Sequence, residues 1–244
     1  MWLLADYMIA RERRLAGLPT VVKPLQDAGL RCAELMGHSP TDKLRVLCGA
    51  LYAELGQHEE AQSLLRKGLV SEKYSGLACV GTVALGRSLA RSKHHETIAT
   101  LREALGRCDY RTEAPEIFET ANELMTIGEY ALAMQGYQDV LRRDSADIAA
   151  RISLGWCQYK LGDYEGAAHH FSVADSDMPN SLAAFKHALV VLAKGDLQEA
   201  ARLYSRALAT YGSAAAQIAG ATTDLQEAPL DPPIRARFLR LLSE

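Results

Sequence analysis

The chain repeats one set of residue types at a nearly fixed period, and this repeat limits the possible folds more than any other feature of the sequence. Small residues recur at positions 56, 92, 128, 162 and 195, so that neighbouring copies lie 36, 36, 34 and 33 residues apart. Four of the five copies carry an alanine at the same offset after that position, namely Ala61, Ala133, Ala167 and Ala200. A period of roughly 20–50 residues is typical of stacked structural units. We therefore predict an array of similar units, each packed on its neighbours.

Each unit is predicted to be a pair of helices. The chain has 38 alanines and 35 leucines but only 18 valines and isoleucines, and this composition favours helix over strand. In the first copy, leucines recur at the spacing of one helical face, and Gly56 can take the left-handed conformation that ends a helix. Ser39 is predicted to cap that helix with Pro40 at its first position, and Asp163 is predicted to cap the second helix of the fourth copy.

The fourth copy resembles the tetratricopeptide repeat (TPR) family. The resemblance lies in Leu154-Gly155, in Gly-Asp-Tyr at 162–164, in Ala167 followed by Phe171, and in Pro179. Weaker copies extend it over residues 41–212, although none has the family's opening tryptophan. The resemblance implies an all-α fold, a right-handed α-solenoid of stacked helical hairpins. Another kind of helical-hairpin array is the alternative.

The pattern predicts three regions. Residues 1–38 form an N-terminal helical cap or a degenerate repeat, residues 39–212 form the TPR-like array, and residues 213–244 form a C-terminal cap with a proline-rich linker. The last segment places Phe238, Leu241 and Leu242 on one face of an amphipathic helix. That helix either caps the array, as solenoid ends require, or docks on a groove or on another chain.

Members of the resembled family bind partner peptides on the concave surface lined by the first helix of each repeat. Transferred to this chain, those positions are Phe118, Asn122, Met125, Ile152, Trp156, Tyr159, Lys160 and Phe185. Trp156 is the candidate anchor, with a role in the core as the alternative. A carboxylate clamp is not expected, because only Asn122 and, loosely, Lys186 match its groove positions. The resemblance thus implies an apolar groove for a protein or peptide segment with hydrophobic anchors.

The sequence gives no sign of catalytic, metal or cofactor chemistry. Phosphate-binding and nucleophile motifs are missing, and the paired histidines His94-His95 and His169-His170 have the wrong spacing for one ion. We therefore expect no enzyme, no metal and no cofactor. A net charge of −3 disfavours nucleic-acid binding, and no apolar run approaches the ~20 residues of a membrane span. The five cysteines lack C-x-x-C spacing, so we expect free thiols in the cytoplasm.

The leading functional hypothesis is a non-enzymatic interaction module that acts as an adaptor, scaffold or dedicated chaperone. One alternative is a structural scaffold that self-assembles as a homo-oligomer through its end helices. A second alternative is that the chain is the repeat region of a longer bacterial protein whose activity lies elsewhere.

Overall fold

The computed structural model describes residues 2–20, 22–70 and 75–243, and the chain divides into two compact units. Unit 1 is Met1–Arg143 and unit 2 is Asp144–Glu244. The boundary between them falls inside the predicted array 39–212. Every regular element in the described part of the chain is a helix, so the predicted all-α fold is confirmed.

Unit 1 contains eight described helices, of which the last six form three hairpins, α3 with α4, α5 with α6, and α7 with α8. The first helices of the hairpins, α3, α5 and α7, contact one another in sequence and form one layer. The helix bounds are α1 Trp2–Leu15, α2 Lys23–His38, α3 Asp42–Glu54, α4 His58–Leu69, α5 Ser75–Arg91, α6 Thr97–Arg107, α7 Ala114–Thr126 and α8 Tyr130–Arg143.

Unit 2 contains two further hairpins, α9 with α10 and α11 with α12, followed by two short helices. Gly212 has non-helical backbone angles and interrupts α12 at the predicted boundary of the C-terminal region. The last helix packs on α12 and α13, and its Phe238 ring lies 5.6 Å from that of Tyr204. The C-terminal helix therefore packs within unit 2. The helix bounds are α9 Ile148–Lys160, α10 Tyr164–Asp177, α11 Ser181–Ala193, α12 Leu197–Ile218, α13 Ala221–Glu227 and α14 Pro232–Ser243.

The turns inside the hairpins explain the period of the sequence. Gly56, Gly128, Gly162 and Gly195 all have φ between 80° and 90°, the left-handed conformation that glycine adopts at little cost. The second copy differs, because the left-handed residue there is Lys93 with φ of 52°. The turn in that copy therefore lies one residue later than the predicted turn position, residue 92.

One predicted helix cap is confirmed and one is wrong. The Asp163 carboxylate accepts a hydrogen bond from the Gly166 amide at 3.0 Å, as predicted. In the first hairpin, Thr41 rather than Ser39 is the N-cap, and its hydroxyl accepts from the Leu44 amide at 3.2 Å. Helix α3 therefore starts after Pro40 and not at it.

Small residues stand where the two helices of a hairpin touch. A Cβ atom at Gly49 would lie 2.6 Å from Leu65 Cγ, and one at Gly155 would lie 3.2 Å from His170 Cβ. The repeat alanines Ala61, Ala133, Ala167 and Ala200 are fully buried. The close approach explains why these positions stay small.

Four cysteines form two disulfides, so the prediction of free thiols is wrong for them. Cys32 on α2 bonds to Cys48 on α3, and Cys79 on α5 bonds to Cys108 just after α6. The bonded residues are 16 and 29 positions apart, and it is the packing of the helices that brings them together. Cys157 is a free buried thiol, and burial raises its pKa to about 12.

Among the described residues, no helix combines the length and the apolar composition that are needed to span a membrane.

Candidate functional site

The candidate residues of unit 1 gather around one buried tyrosine. The Tyr137 hydroxyl on α8 donates a 2.6 Å hydrogen bond to Asn122 Oδ1 and lies 3.7 Å from Met125 Sδ. The Phe118 ring meets the Tyr137 ring edge-on, with centroids 5.6 Å apart. The three α7 side chains are half-buried. They therefore help to hold α7 on α8 while part of each faces solvent.

Two candidate residues of unit 2, Trp156 and Tyr159 on α9, form an aromatic cluster with Tyr164 on α10. The Trp156 and Tyr159 rings stack with centroids 5.1 Å apart, and the Tyr164 ring lies 5.7 Å from Tyr159. Tyr159 is buried, whereas Trp156 is half-exposed. The stack fixes Trp156 against its own helix while leaving part of its indole accessible.

Two lysines lie over the Trp156 ring. Lys186 Nζ on α11 is 3.8 Å from the ring centroid, and Lys160 Nζ is 4.8 Å from it. An ammonium group near an indole face is attracted by the ring quadrupole. Lys186 also pairs with the Asp224 carboxylate on α13 at 2.5 Å. Three helices, α9, α11 and α13, thus determine the position of one tryptophan.

A hollow of about 160 Å³ adjoins this cluster, and we call it the Trp156 pocket. This volume is smaller than that of pockets for small-molecule ligands, which is roughly 300–1,000 Å³, and is large enough for a single side chain. Aromatic rings, carboxylates, an ammonium group and a proline line it together, so it is more polar than the predicted apolar groove. The lining residues are Trp156, Tyr159, Lys160, Tyr164, Asp224, Glu227, Ala228 and Pro229.

The Lys186–Asp224 pair is largely withdrawn from water. Burial lowers the pKa of Lys186 and raises the pKa of Asp224, and in each case the partner's charge opposes that effect. Neither group alone is well accommodated, so each depends on the other for its charged state. The Asp224 side chain is 10% exposed, so this carboxylate is not a solvated surface group.

Two other predicted site residues lie deeper than a groove position requires. Phe185 is 1% exposed and packs in the core of unit 2, with its ring 6.4 Å from that of Tyr204. Ile152 is also buried, in the same core cluster. The sequence analysis had placed both residues on the binding surface because they occupy the corresponding positions of the family's repeat. The side chains of these two residues are inaccessible to a partner in this structure.

Sequence reasoning missed Asp224, Tyr164 and Pro229 as parts of the pocket. Asp224 and Pro229 lie outside the repeat, in the region predicted to be only a cap, and Tyr164 stands in the Gly-Asp-Tyr motif that identified the turn. No local signal links α13 to Trp156, because the contact depends on how α13 folds back on α11.

Within the described residues, one set of potential metal ligands lies close together, Cys79, Cys108 and Glu113. The two sulfur atoms are bonded to each other and carry no thiolate, which is the form that binds metals. The set therefore offers only one carboxylate as a ligand.

Comparison with known proteins bears on the fold of the whole chain. Residues 118–181 match the family model of the tetratricopeptide repeat. The C-terminal part of a TPR repeat-containing protein from Cytophaga hutchinsonii is similar, with a TM-score of 0.62, 16% identity, and coverage of 91% of this chain and 84% of that one. A tetratricopeptide repeat protein from Parabacteroides merdae covers 99% of both chains, with a TM-score of 0.54 and 14% identity.

A third solved structure is YrrB, described as a TPR protein with an unusual peptide-binding site. It has a TM-score of 0.52 and 15% identity, and the alignment covers 73% of this chain and 87% of that one. The search of curated proteins found no match. At these identities the solved structures show the shared fold, which is the TPR-like solenoid predicted from the sequence.

Proposed function

We propose that this tetratricopeptide repeat protein is a non-enzymatic protein–protein interaction module, an adaptor, scaffold or dedicated chaperone, which binds a partner segment at the Trp156 pocket. The observation that carries the proposal is the half-exposed Trp156 ring, fixed by Tyr159 and Lys186 beside an open hollow. Tryptophan is enriched among the residues that dominate binding energy at interfaces. Because the ring is already fixed, little side-chain entropy is lost on binding.

The pocket favours a peptide with one large apolar side chain next to polar groups. Its volume accepts a single anchor, and burying such a side chain contributes about 1.5–3 kcal/mol. The exposed ammonium of Lys160 and the carboxylate of Glu227 are available to hydrogen-bond the peptide around that anchor. The peptide-binding site named for YrrB supports this mode of action.

The half-buried α7 residues Phe118, Asn122 and Met125 are a second candidate contact surface, on unit 1. Each keeps an accessible part while its inner atoms contact Tyr137. A non-enzymatic role agrees with the general use of this repeat for protein binding.

The compartment is part of the proposal. The sequence alone pointed to the cytoplasm, but that expectation rested on reduced cysteines. Disulfides persist in oxidising compartments, and two of them join helices of unit 1. We therefore favour an oxidising compartment over the cytoplasm.

Self-assembly through the end helices is the second candidate function. Leu4 and Ile9 on α1 are 48% and 52% exposed, which leaves part of the outer surface of this terminal helix apolar. Light scattering of the purified chain over a range of concentrations tests it. A mass that rises with concentration supports self-assembly, and a constant monomer mass excludes it.

A peptide selection tests the leading proposal. A library of displayed random peptides is selected on the immobilised full chain, and enriched peptides are titrated against variants by fluorescence anisotropy. We expect the enriched peptides to share one large apolar residue and to bind the Trp156→Ala chain about 10-fold or more weakly. Met178→Ala, which removes another exposed apolar side chain of unit 2, is the matched control and should leave affinity unchanged. Equal affinity for both variants would exclude the Trp156 pocket.

A further inference from the structure

The first helix of unit 1 does not follow the hairpin pattern of the rest of the chain. In the other hairpins of the unit, each helix packs most extensively on its neighbour in sequence, whereas α1 packs more on α3 than on α2. Side chains of α1 reach the first helices of all three hairpins, α3, α5 and α7. We call the surface that these helices present to α1 the first-helix face.

Two arginines of α1 insert into a row of glutamates on this face. Arg11 pairs with Glu119 and, at 3.2 Å, with Glu116, both on α7. Arg14 bridges α3 and α7, with nitrogen atoms 2.7 Å from both the Glu54 and the Glu119 carboxylates. The Arg11 and Glu119 side chains are almost fully buried, so these pairs are screened much less than surface ion pairs.

Without α1, the first-helix face has an excess of negative charge. It carries four glutamates, the three above and Glu123, against two arginines of its own, Arg87 and Arg91. Arg11 and Arg14 balance the two remaining charges. Burial by itself raises the pKa of Glu54, but Arg87 and Arg14 outweigh it and lower that pKa, so this carboxylate is held ionised. The face is thus complementary to a basic segment.

An aromatic side chain completes the match. Tyr7 is 2% exposed and packs in a cluster with Val46 of α3 and Leu85 of α5. Tyr7, Arg11 and Arg14 are four and seven residues apart and share one face of the helix. Ala10 on the same face is fully buried, which lets the helix approach closely.

Helix α1 is attached less extensively to α2 than to α3. A cleft of about 700 Å³ lies between the start of α1 and one side of α2, and the Arg31–Asp6 ion pair at 2.8 Å joins the two helices there. Gly17, just after α1, has φ of 66°, a conformation open to glycine but strained for other residues. Release of α1 would therefore break the Arg31–Asp6 pair and uncover the apolar contacts of Leu3, Tyr7 and Ala10.

We infer that the first-helix face of unit 1 is a binding site for a basic helix of a partner protein, and that α1 occupies this site as an internal substitute. The partner helix carries an aromatic residue with arginines four and seven positions later, the pattern of Tyr7, Arg11 and Arg14. This site is independent of the Trp156 pocket, which lies in unit 2. A partner binds by displacing α1, so the affinity of the site depends on the free energy with which α1 packs on the first-helix face.

A labelled synthetic peptide with the sequence of residues 2–20 tests the inference on the full chain. In the wild-type chain, α1 competes as a tethered ligand at an effective concentration on the order of millimolar. A Tyr7→Ala/Arg11→Ala chain has a weakened internal helix but an intact face, so we expect it to bind the peptide about 10-fold or more tightly than the wild type does. Arg13→Ala is the matched control, because its Nε donates to the Pro19 carbonyl and not to the glutamates. It should behave as the wild type.

The peptide also has a control, in which both arginines corresponding to Arg11 and Arg14 are alanine. It should bind the weakened chain about 10-fold or more weakly than the native peptide. Equal binding of the two peptides, or no gain in the weakened chain, would overturn the inference. A concentration-dependent dimer of the weakened chain that the peptide dissociates would assign the face to a second copy and would also overturn it.

Hydrogen exchange of the wild-type chain gives a readout that needs no variant. If α1 is a displaceable occupant, its amides exchange about 10-fold or more faster than those of α3, because α1 opens while the hairpins stay folded. Exchange of α1 and α3 at one common rate would show a fixed structural helix and would overturn the inference even if the weakened chain fails to fold.

Discussion

The Nζ atom of Lys186 lies 3.8 Å from the centroid of the Trp156 ring and 2.5 Å from the Asp224 carboxylate. Lys186 and Trp156 stand on different hairpins, so their contact links the repeat that carries the tryptophan to the next one. The tryptophan is held before any partner arrives. A surface prepared in this way loses little entropy on binding, and this favours a recognition role for a residue that is only half-buried.

Trp156 and Phe185 should give opposite results when truncated. Phe185→Ala removes a fully buried ring, so we expect the free energy of unfolding to fall by about 3–5 kcal/mol. Trp156→Ala should cost clearly less stability, because part of the ring already faces solvent, while weakening binding of a selected peptide. Chemical denaturation of both variants measures the difference. A larger stability loss for Trp156→Ala than for Phe185→Ala would indicate that Trp156 is a core residue.

The glycines inside the helices should respond to substitution according to their surroundings. A Cβ at Gly49 meets Leu65 Cγ at 2.6 Å, so Gly49→Ala forces the hairpin apart and should cost about 1–3 kcal/mol. Gly106 lies in α6, where an added Cβ would meet none of the described side chains within 4 Å, and Gly106→Ala should raise stability by up to about 1 kcal/mol. The melting temperatures of the two variants, compared with that of the wild-type chain, measure these changes in stability. A similar loss in both would contradict the close helix packing at Gly49.

Reduction should destabilise unit 1. Each disulfide closes a loop, of 16 residues for Cys32–Cys48 and 29 for Cys79–Cys108, and such a crosslink typically contributes about 2–4 kcal/mol. We expect a lower melting temperature with a phosphine reductant. A chain with all four cysteines changed to alanine is the control and should melt at one temperature with and without reductant. A wild-type chain that melts identically in both conditions would contradict the disulfide assignment.

Acidification should destabilise unit 2 through two half-buried histidines. Burial lowers the pKa of His187, and of His170, below the usual value of 6.5. The folded state therefore binds fewer protons than the unfolded state, so stability is complete above a pH of about 6.5 and is lost as the pH falls below it. Comparing melts at pH about 7.5 and 5.5, we expect His187→Gln to reduce the fall in melting temperature. His95→Gln, at an exposed site in unit 1, should leave that fall unchanged, and equal behaviour of the two variants would contradict the mechanism.

The sequence predicted well the features that depend on a few neighbouring residues. Gly56 and Gly162 end helices as expected, and Asp163 caps the helix that follows, because turn and cap geometry depends on local backbone conformation. Contacts between distant helices escaped prediction. The Lys186–Asp224 pair and the packing of α1 on α3 and α7 both depend on the angle between stacked helices. The period of a sequence repeat does not determine that angle.

The same reasoning explains the errors at Phe185 and at the paired cysteines. Transfer of family positions assumes one rotation of each first helix, and in this chain α11 turns Phe185 toward Tyr204. The cysteine pairs join helices whose contacts the spacing of 16 and 29 residues does not reveal.

Hydrogen exchange of the full chain, with and without a peptide selected on it, tests the central claim most directly because it locates the bound segment. The Trp156 pocket is built from α9, α10 and α13 and from the segment after α13. We predict that the peptide slows exchange in α9 and α13 and that Trp156→Ala abolishes this protection, while Met178→Ala preserves it. Protection confined to helices outside the pocket, or protection that survives in the Trp156→Ala chain, would contradict the account.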